Sequence, residues 1–463
     1  LSYNTESILL ADVISAMTFA LDMTEGAVPG HALRTCLLGM RIADALGIAG
    51  KERVSLYYAL LLKDIGCSSN ATRVSQIMGG DDIAIKATTR REDWRKPGMS
   101  LHGLRVMWRN TLPEATLSCR LLRFVHVASR ASVNRKELIE LRCERGAQIL
   151  LKLGMDSATL AAVRCLDEHW DGEGHPAGLK GEFIPLLARI CSIAQNLDIF
   201  ASEDSIEKAM EVLTRRSGRW FDPSLVRLVS VMHHEGTLWE GWSARTPDSE
   251  LRSAVMLLDP GEQAELSSER VDAICEAFAC VVDAKSPFTY RHSVGVAEVA
   301  VGIAEEMGLP KDRVLLVRRA ALLHDIGKLS VPNTILDKQG KLTKEEWAIV
   351  LEHPGKTRSI LERVSAFREL AVIAAEHHEK LDGTGYPLGL TASELCLESR
   401  ILIVADVFTA MAEHRPYRRG MEMGTVFELM STDVPKKFDF RCFSSLRSLW
   451  GDRKWQEITA QAV

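Results

Sequence analysis

The sequence predicts an all-α protein made of two tandem copies of one helical bundle. Three observations lead there. Apolar residues recur at three- and four-residue steps, with few alternating runs that would signal strands. The chain matches itself at fixed spacing, the mark of an internal repeat. Its 463 residues, 46% apolar and 26% charged, exceed what one ordinary core organises.

The first copy is placed at residues 1–242. Its segment His31 to Asp64-Ile65-Gly66 repeats with identical spacing as His292 to Asp325-Ile326-Gly327, and the first helices end alike in ADALGI and AEEMGL. RCERGAQIL, from Arg142, pairs with HPGKTRSIL, from His353. DEHWDGEGHP, from Asp167, pairs with HEKLDGTGYP, from His378. ARICSIAQ, ending at Gln195, pairs with SRILIVAD, ending at Asp406, and Phe221-Asp222 answers Phe438-Asp439. An insertion of about 50 residues falls within about 67–141 of the first copy. Residues 243–269, with Pro247, Pro260, Gly261 and many Ser and Glu, are the expected linker.

The second copy is placed at residues 270–463. A helix is expected from His292 to Met307, and a more continuously apolar, central one from Val314 to Gly327. Pro354, one residue after His353, suits the first position of the next helix. Gly383, Gly385 and Pro387 break the chain into an ordered loop. Arg400 to Ala412 is expected to be another buried helix.

Chemistry-bearing residues concentrate in this copy: His292, His324, Asp325, His353, His377, His378 and Asp406. Imidazoles and carboxylates together are the donor set of iron, manganese or zinc. Singly, His324-Asp325 or His353 carries little information, since a histidine at a helix start is commonly structural. Asp406 inside ILIVADVFTAM is more telling, because a buried carboxylate without a partner is costly. Copy one keeps His31 and Asp64 but has Lys63, Arg142, Leu166, Asp167 and Gln195 at the other ligand positions. Cationic and aliphatic side chains do not replace imidazole lone pairs, so no metal pair is expected there. A scaffold, dimerisation surface or ligand sensor is its expected role.

The string His377-His378-Glu379-Lys380-Leu381-Asp382-Gly383-Thr384-Gly385-Tyr386-Pro387, downstream of His324-Asp325-Ile326-Gly327-Lys328, resembles the HD-GYP family, metal-dependent phosphodiesterases that hydrolyse cyclic di-GMP. The resemblance runs from about Asp283 to Arg418 and implies a C-terminal catalytic domain behind a degenerate HD-type copy. On the family pattern His292, His324, Asp325 and Asp406 hold one ion, and Asp325, His353, His377 and His378 the other. The mixed nitrogen and oxygen donors suit Fe or Mn better than Mg. Phosphodiester hydrolysis needs a strong nucleophile at neutral pH, and two bridged ions provide it as a hydroxide while clamping the phosphate. The resemblance further implies that Lys328 reaches a phosphate oxygen, that Tyr386 contacts a guanine or phosphate, and that Arg415 and Arg418, in RPYR, grip the anionic dinucleotide. Catalysis is thus expected at Asp325 and Lys328. Three departures stand out. Phe288 replaces a Glu typical of three-metal members, so two ions are expected; Ser286 replaces a common Asp, and Thr357 a usual Gly.

The implied reaction converts cyclic di-GMP to pGpG, with onward cleavage to GMP an option. The alternatives are another cyclic dinucleotide such as cyclic GMP-AMP, or a non-catalytic signalling or adaptor protein that binds one. Gly79-Gly80-Asp81-Asp82 resembles the GGDEF signature of diguanylate cyclases but lacks the strand-rich context, and reads as a turn. His233-His234-Glu235 has no Gly-Tyr-Pro loop after it and reads as ordinary histidines. A net charge of −5 gives no footprint for a nucleic acid polymer or an anionic membrane. No apolar run approaches the roughly 18 residues of a membrane span, and LSYNTESILL is no signal peptide. The chain begins without Met, as a trimmed N-terminus would. Ten cysteines without CxxC spacing suggest reduced thiols in a cytoplasm. A homodimer, and protein partners on the N-terminal copy or the Gly-Tyr-Pro loop, complete the expectations.

Overall fold

Helices and short 3₁₀ turns make up the regular structure, and among the described residues only isolated β-bridges occur. The computed structural model describes residues 8–93, 101–113, 115–261, 265–286, 291–413 and 420–450. In the N-terminal half the helices are α1 (Leu10–Glu25), α2 (His31–Ala45), α3 (Gly50–Leu62), α4 (Ala71–Met78), α5 (Asp82–Thr89), α6 (Leu101–Asn110), α7 (Leu117–Ser129), α8 (Ala131–Lys152), α9 (Ser157–Arg164), α10 (Leu186–Glu203), α11 (Ile206–Arg216), α12 (Pro223–His234) and α13 (Asp248–Met256). The C-terminal half has α14 (Ser268–Asp283), α15 (His292–Glu306), α16 (Lys311–Leu323), α17 (Asn333–Leu336), α18 (Lys344–Leu351), α19 (His353–Leu361), α20 (Arg368–Ala375), α21 (Leu397–Ala412), α22 (Met423–Ser431) and α23 (Phe440–Trp450). Two compact units result: residues 8–266 with 332–334, and residues 267–331 with 335 onward.

Each unit packs its helices by one scheme. In the C-terminal unit α15 lies against α16 and α21, α16 against α14 and α20, and α19 against α20 and the turn Ile326–Ser330. In the N-terminal unit α2 lies against α3 and α10, α3 against α1 and α9, and α8 against α9 and the turn Cys67–Asn70. Central helices are apolar nearly all round, as burial on every side requires: α21 buries Ile401, Leu402, Val404, Ala405 and Phe408 around Asp406.

Small devices recur at matching positions. A Cβ on Gly327 would lie 2.0 Å from the His353 carbonyl oxygen, and one on Gly66 would lie 2.1 Å from that of Arg142. Only glycine permits that approach of turn to helix. Glu379 accepts backbone N–H bonds from Leu388 (2.7 Å) and Leu390 (2.9 Å); Glu168 accepts them from Ala177 (2.6 Å) and Leu179 (2.8 Å). Arg400 pairs with Asp439 at 3.0 Å and Arg189 with Asp222 at 2.7 Å.

Two expectations change and a third holds. The helix expected over Val314–Gly327 stops at Leu323, and the chain tightens into the 3₁₀ turn that carries Lys328. The expected linker 243–269 contains α13, whose Leu251 and Val255 are buried against the first copy's α1 and α2. The Gly79-Gly80-Asp81-Asp82 turn is there, Gly79 closing α4 and Asp81 capping α5. It belongs to an insertion with its own small core of Val74, Met78, Ile85 and Val127.

Candidate metal centre

Helix ends deliver the ligands. His292 opens α15, His324 closes α16 with Asp325 beside it, His353 opens α19, His377 and His378 follow α20, and Asp406 sits in the middle of α21. Chain ends of helices from four directions therefore meet one internal carboxylate. Three sets converge closely enough to share a cation: His292, His324 and Asp406; His324, Asp325 and His377; His353, His377 and His378. Asp325 lies between them, its Oδ2 3.3 Å from His324 Nε2 and its Oδ1 3.5 Å from His353 Nε2 and 3.6 Å from His377 Nε2. Among the described residues no comparable group forms in the first copy.

The imidazoles are held by their outer nitrogens. Nδ1 of His324, His353 and His377 donates to the carbonyls of Ala321 (2.7 Å), Val350 (2.6 Å) and Ala374 (2.7 Å), each three residues earlier. That fixes the tautomer and turns Nε2 inward as a lone-pair donor. Burial keeps His353 (down to about 3), His378 (to about 4) and His377 neutral, with positive neighbours adding to the effect. His292 behaves oppositely. Burial would lower it, yet its bonds to Asp406 (3.2 Å) and Glu413 (3.0 Å) raise it to about 10. Asp325 is held well below the carboxylate range: burial opposes ionisation, but His324 and Lys328 prevail.

Metal ions fit this donor set. His324 Nε2 and Asp325 Oδ1 are fully buried and make no hydrogen bond, although leaving such atoms unpaired is costly. A divalent cation among these imidazoles and ionised carboxylates would satisfy both.

Sequence reading missed two supports. Glu413, two helical turns past Asp406, holds His292 Nδ1, and Gly295 leaves it room: a Cβ there would lie 2.9 Å from Glu413 Oε1. Thr357, which stands where a glycine was expected, is buried and staples the His-Asp turn. Its Oγ1 donates to the His324 carbonyl (2.8 Å) and accepts from Gly327 N–H (3.0 Å). The departure therefore tightens the geometry.

One side is open. The His378 side chain is 25% exposed and Lys328 22%, whereas His324, His353 and His377 are sealed. Lys328 Nζ sits 2.6 Å from Asp325 Oδ2. The Tyr386 ring lies 4.7 Å from that of His378, centroid to centroid. Arg415, Arg418 and Phe288 lie outside the described residues. Ser286 donates to Asp337 at 2.5 Å, away from the ligands. His233 accepts from Trp239 Nε1 at 2.9 Å, so the His233-His234 pair belongs to ordinary packing at the end of α12.

The first copy fills the same place with its own cations. Lys63 Nζ is 2.9 Å from His31 Nε2 and is paired to Asp64, while Arg142 is paired to Asp167. His31 Nδ1 bonds Asp198 (2.7 Å), which also holds Arg34 (2.8 Å).

Comparison with known proteins places the chain. The HD domain model matches residues 120–225 and 276–441, more than half its length and part of both copies. The chain belongs to the HD-domain family. Its C-terminal copy is of the HD-GYP type, with the full histidine-aspartate set and the Gly-Tyr-Pro loop. It is 40% identical over 440 residues to the 3'3'-cGAMP-specific phosphodiesterase 3 of Vibrio cholerae, covering 95% of this chain and 94% of that one. To a cyclic di-GMP phosphodiesterase of Thermotoga maritima it is 43% identical over 141 residues, 30% of this chain and 38% of the other. The crystal structure of a cyclic GMP-AMP specific phosphodiesterase of V. cholerae matches 97% of this HD protein and 99% of that chain, with a TM-score of 0.65 and 35% identity. No helix among the described residues is long and apolar enough to cross a membrane.

Proposed function

We propose that the C-terminal copy is a metal-dependent phosphodiesterase that opens a purine cyclic dinucleotide, with 3'3'-cGAMP the preferred substrate and cyclic di-GMP the second. The sequence alone ranks these two in the opposite order. What reverses them is coverage: the cGAMP-specific relative aligns along both copies, whereas the Thermotoga cyclic di-GMP relative aligns over less than a third of this chain. The observation that carries the hydrolytic reading is the meeting of five imidazoles and two carboxylates around unpaired His324 Nε2 and Asp325 Oδ1.

In this reading His292, His324, Asp325 and Asp406 would hold one divalent ion, and Asp325, His353, His377 and His378 the other, iron or manganese in each case. When bound, the ions supply a nucleophile at neutral pH and neutralise phosphoryl charge. The chain's own residues do the rest. Carbonyls behind His324, His353 and His377 keep their Nε2 lone pairs aimed inward. Lys328 keeps Asp325 ionised and has further N–H groups for a phosphate oxygen on the open side. Tyr386 lines that opening for a base or phosphate, and Arg415 and Arg418 neutralise the second phosphate.

Turnover of 3'3'-cGAMP, cyclic di-GMP and cyclic di-AMP by the manganese- or iron-loaded protein tests this. Cleavage of 3'3'-cGAMP with the highest kcat/KM is expected. Preference for cyclic di-GMP would restore the other order. Tight binding of a cyclic dinucleotide without cleavage by the metal-loaded protein would leave an adaptor instead.

A further inference from the structure

The eight-residue helix α18 buries none of its residues, yet it is firmly placed. At its start, Thr343 Oγ1 accepts from Glu346 N–H (3.2 Å) and the Glu346 carboxylate accepts from Thr343 N–H (2.7 Å), a reciprocal cap. Lys338 Nζ clamps the same carboxylate at 2.7 Å. At its end, the Val350 carbonyl holds Nδ1 of the ligand His353. Helices normally earn their place by burying an apolar face. This one presents an indole to solvent instead. Trp347 is 46% exposed, the one exposed tryptophan among the described residues. Its ring centroid lies 6.1 Å from that of Tyr386, at 72°, and Tyr386 lies 4.7 Å from His378. An aromatic series thus runs from the ligand shell to the surface on the open side of the site.

The first copy supplies an internal control. The loop alignment sets His175 opposite Tyr386, and counting back six positions from the His353–Arg142 pair, through unbroken helix in α8 but across the turn at Glu352 between α18 and α19, sets Lys136 opposite Trp347. The copy that lacks most of the metal ligands has neither an indole nor a phenol at these two positions.

We infer that Trp347 is a substrate-binding residue: a platform on which one purine base of the dinucleotide stacks while its phosphate occupies the metal site. The inference rests on the substrate class proposed above. Every purine presents a π face, and an exposed indole at the rim offers a flat apolar surface to receive it. Stacking of a base on an aromatic side chain is worth enough to be read kinetically.

The test uses the full metal-loaded chain with Trp347→Ala, Trp347→Leu and Trp347→Phe. Trp347→Ala should raise KM for the dinucleotide about tenfold or more, with kcat within about twofold and metal content unchanged. Trp347→Phe should recover most of the loss and Trp347→Leu should not, because apolar bulk without a π face does not stack. Binding of 5'-GMP and 5'-AMP, measured calorimetrically on wild type and Trp347→Ala, separates this claim from the substrate proposal. Weaker purine binding in the variant sustains the platform even if wild type cleaves no cyclic dinucleotide. Equal purine binding, rescue by Leu, or loss confined to kcat overturns it.

Discussion

In the N-terminal copy a lysine ammonium and an arginine guanidinium stand among the acids and histidine that remain, Lys63 with His31 and Asp64, Arg142 with Asp167. In the C-terminal copy the matching positions are His324 and His353, and the chain's own positive charge stands farther off, on Lys328 beside Asp325 and on His292 beside Asp406. The buried carboxylates need a counter-charge in both. One copy fills the ligand positions themselves with cations; the other keeps imidazoles there and leaves room for a metal. Even the bond behind the first histidine has been exchanged: His292 leans on Glu413, whereas His31 leans on Asp198, which Arg34 secures from the position of Gly295.

The comparison can be broken most sharply at the paired aspartates. Asp325→Ala should lower turnover by roughly 10³-fold or more and reduce bound metal, since in the proposed centre it removes the carboxylate that both ions would use. Asp64→Ala should leave metal content, read by elemental analysis, as it is. Metal lost from the Asp64 variant would mean that the first copy contributes ligands.

Next in size is the built-in cation. Lys63→Ala strands Asp64 in a buried setting and should destabilise the N-terminal unit by about 3–5 kcal/mol in urea unfolding. The double change Lys63→Met with Asp64→Leu should cost far less, because no unpaired charge remains. Equal losses would show that the ammonium is packing rather than counter-charge. Chelation gives the reciprocal result: stripping metal should raise hydrogen exchange at the starts of α15 and α19 and in the Ile326–Ser330 turn, and leave α2, α3 and the Cys67–Asn70 turn unchanged. Uniform loosening of both copies would contradict it.

The smallest effects are of opposite sign at one shared position. Thr357→Gly leaves the Gly327 N–H and the His324 carbonyl without their bond and should cost about 1–2 kcal/mol. Its counterpart Gly146 lies within α8, where an added Cβ would come no closer than 3.5 Å to Gly66. Gly146→Ala should therefore stabilise by about 0.5–1 kcal/mol, through the unfolded chain and helix propensity. Matching signs would mean that the two turns are held differently from the way their bonds indicate.

The repeat, the all-α class and the convergence of seven residues were legible because they rest on spacing, and spacing survives in a single sequence. Where α16 ends was not. Apolar periodicity runs on to Gly327, but the backbone tightens after Leu323 because Gly327 must approach the His353 carbonyl, a partner 26 residues away. Glu413 left a readable signal that was passed over: an acid seven residues after Asp406 falls on the same helical face. The helix within 243–269 was hidden by Pro and Ser, although Pro247 followed by Asp248, Glu250 and the pair Leu251/Val255 has the form of a helix start. Trp347 had no motif of its own, and only its position beside Tyr386 in space makes it notable.

The loop that follows His378 is gathered onto Glu379 through two amide hydrogens, and Glu168 gathers its counterpart with the same two bonds. The fastening residue is the immediate neighbour of the variable one, His378 in one copy and Asp167 in the other. Fixture and payload are thus adjacent but independent, as a tool is interchangeable in a chuck. A protein engineer wishing to install a second reaction centre in the N-terminal half could exchange Lys63, Arg142, Leu166, Asp167 and Gln195 for the C-terminal set and find the loop already moulded to receive them.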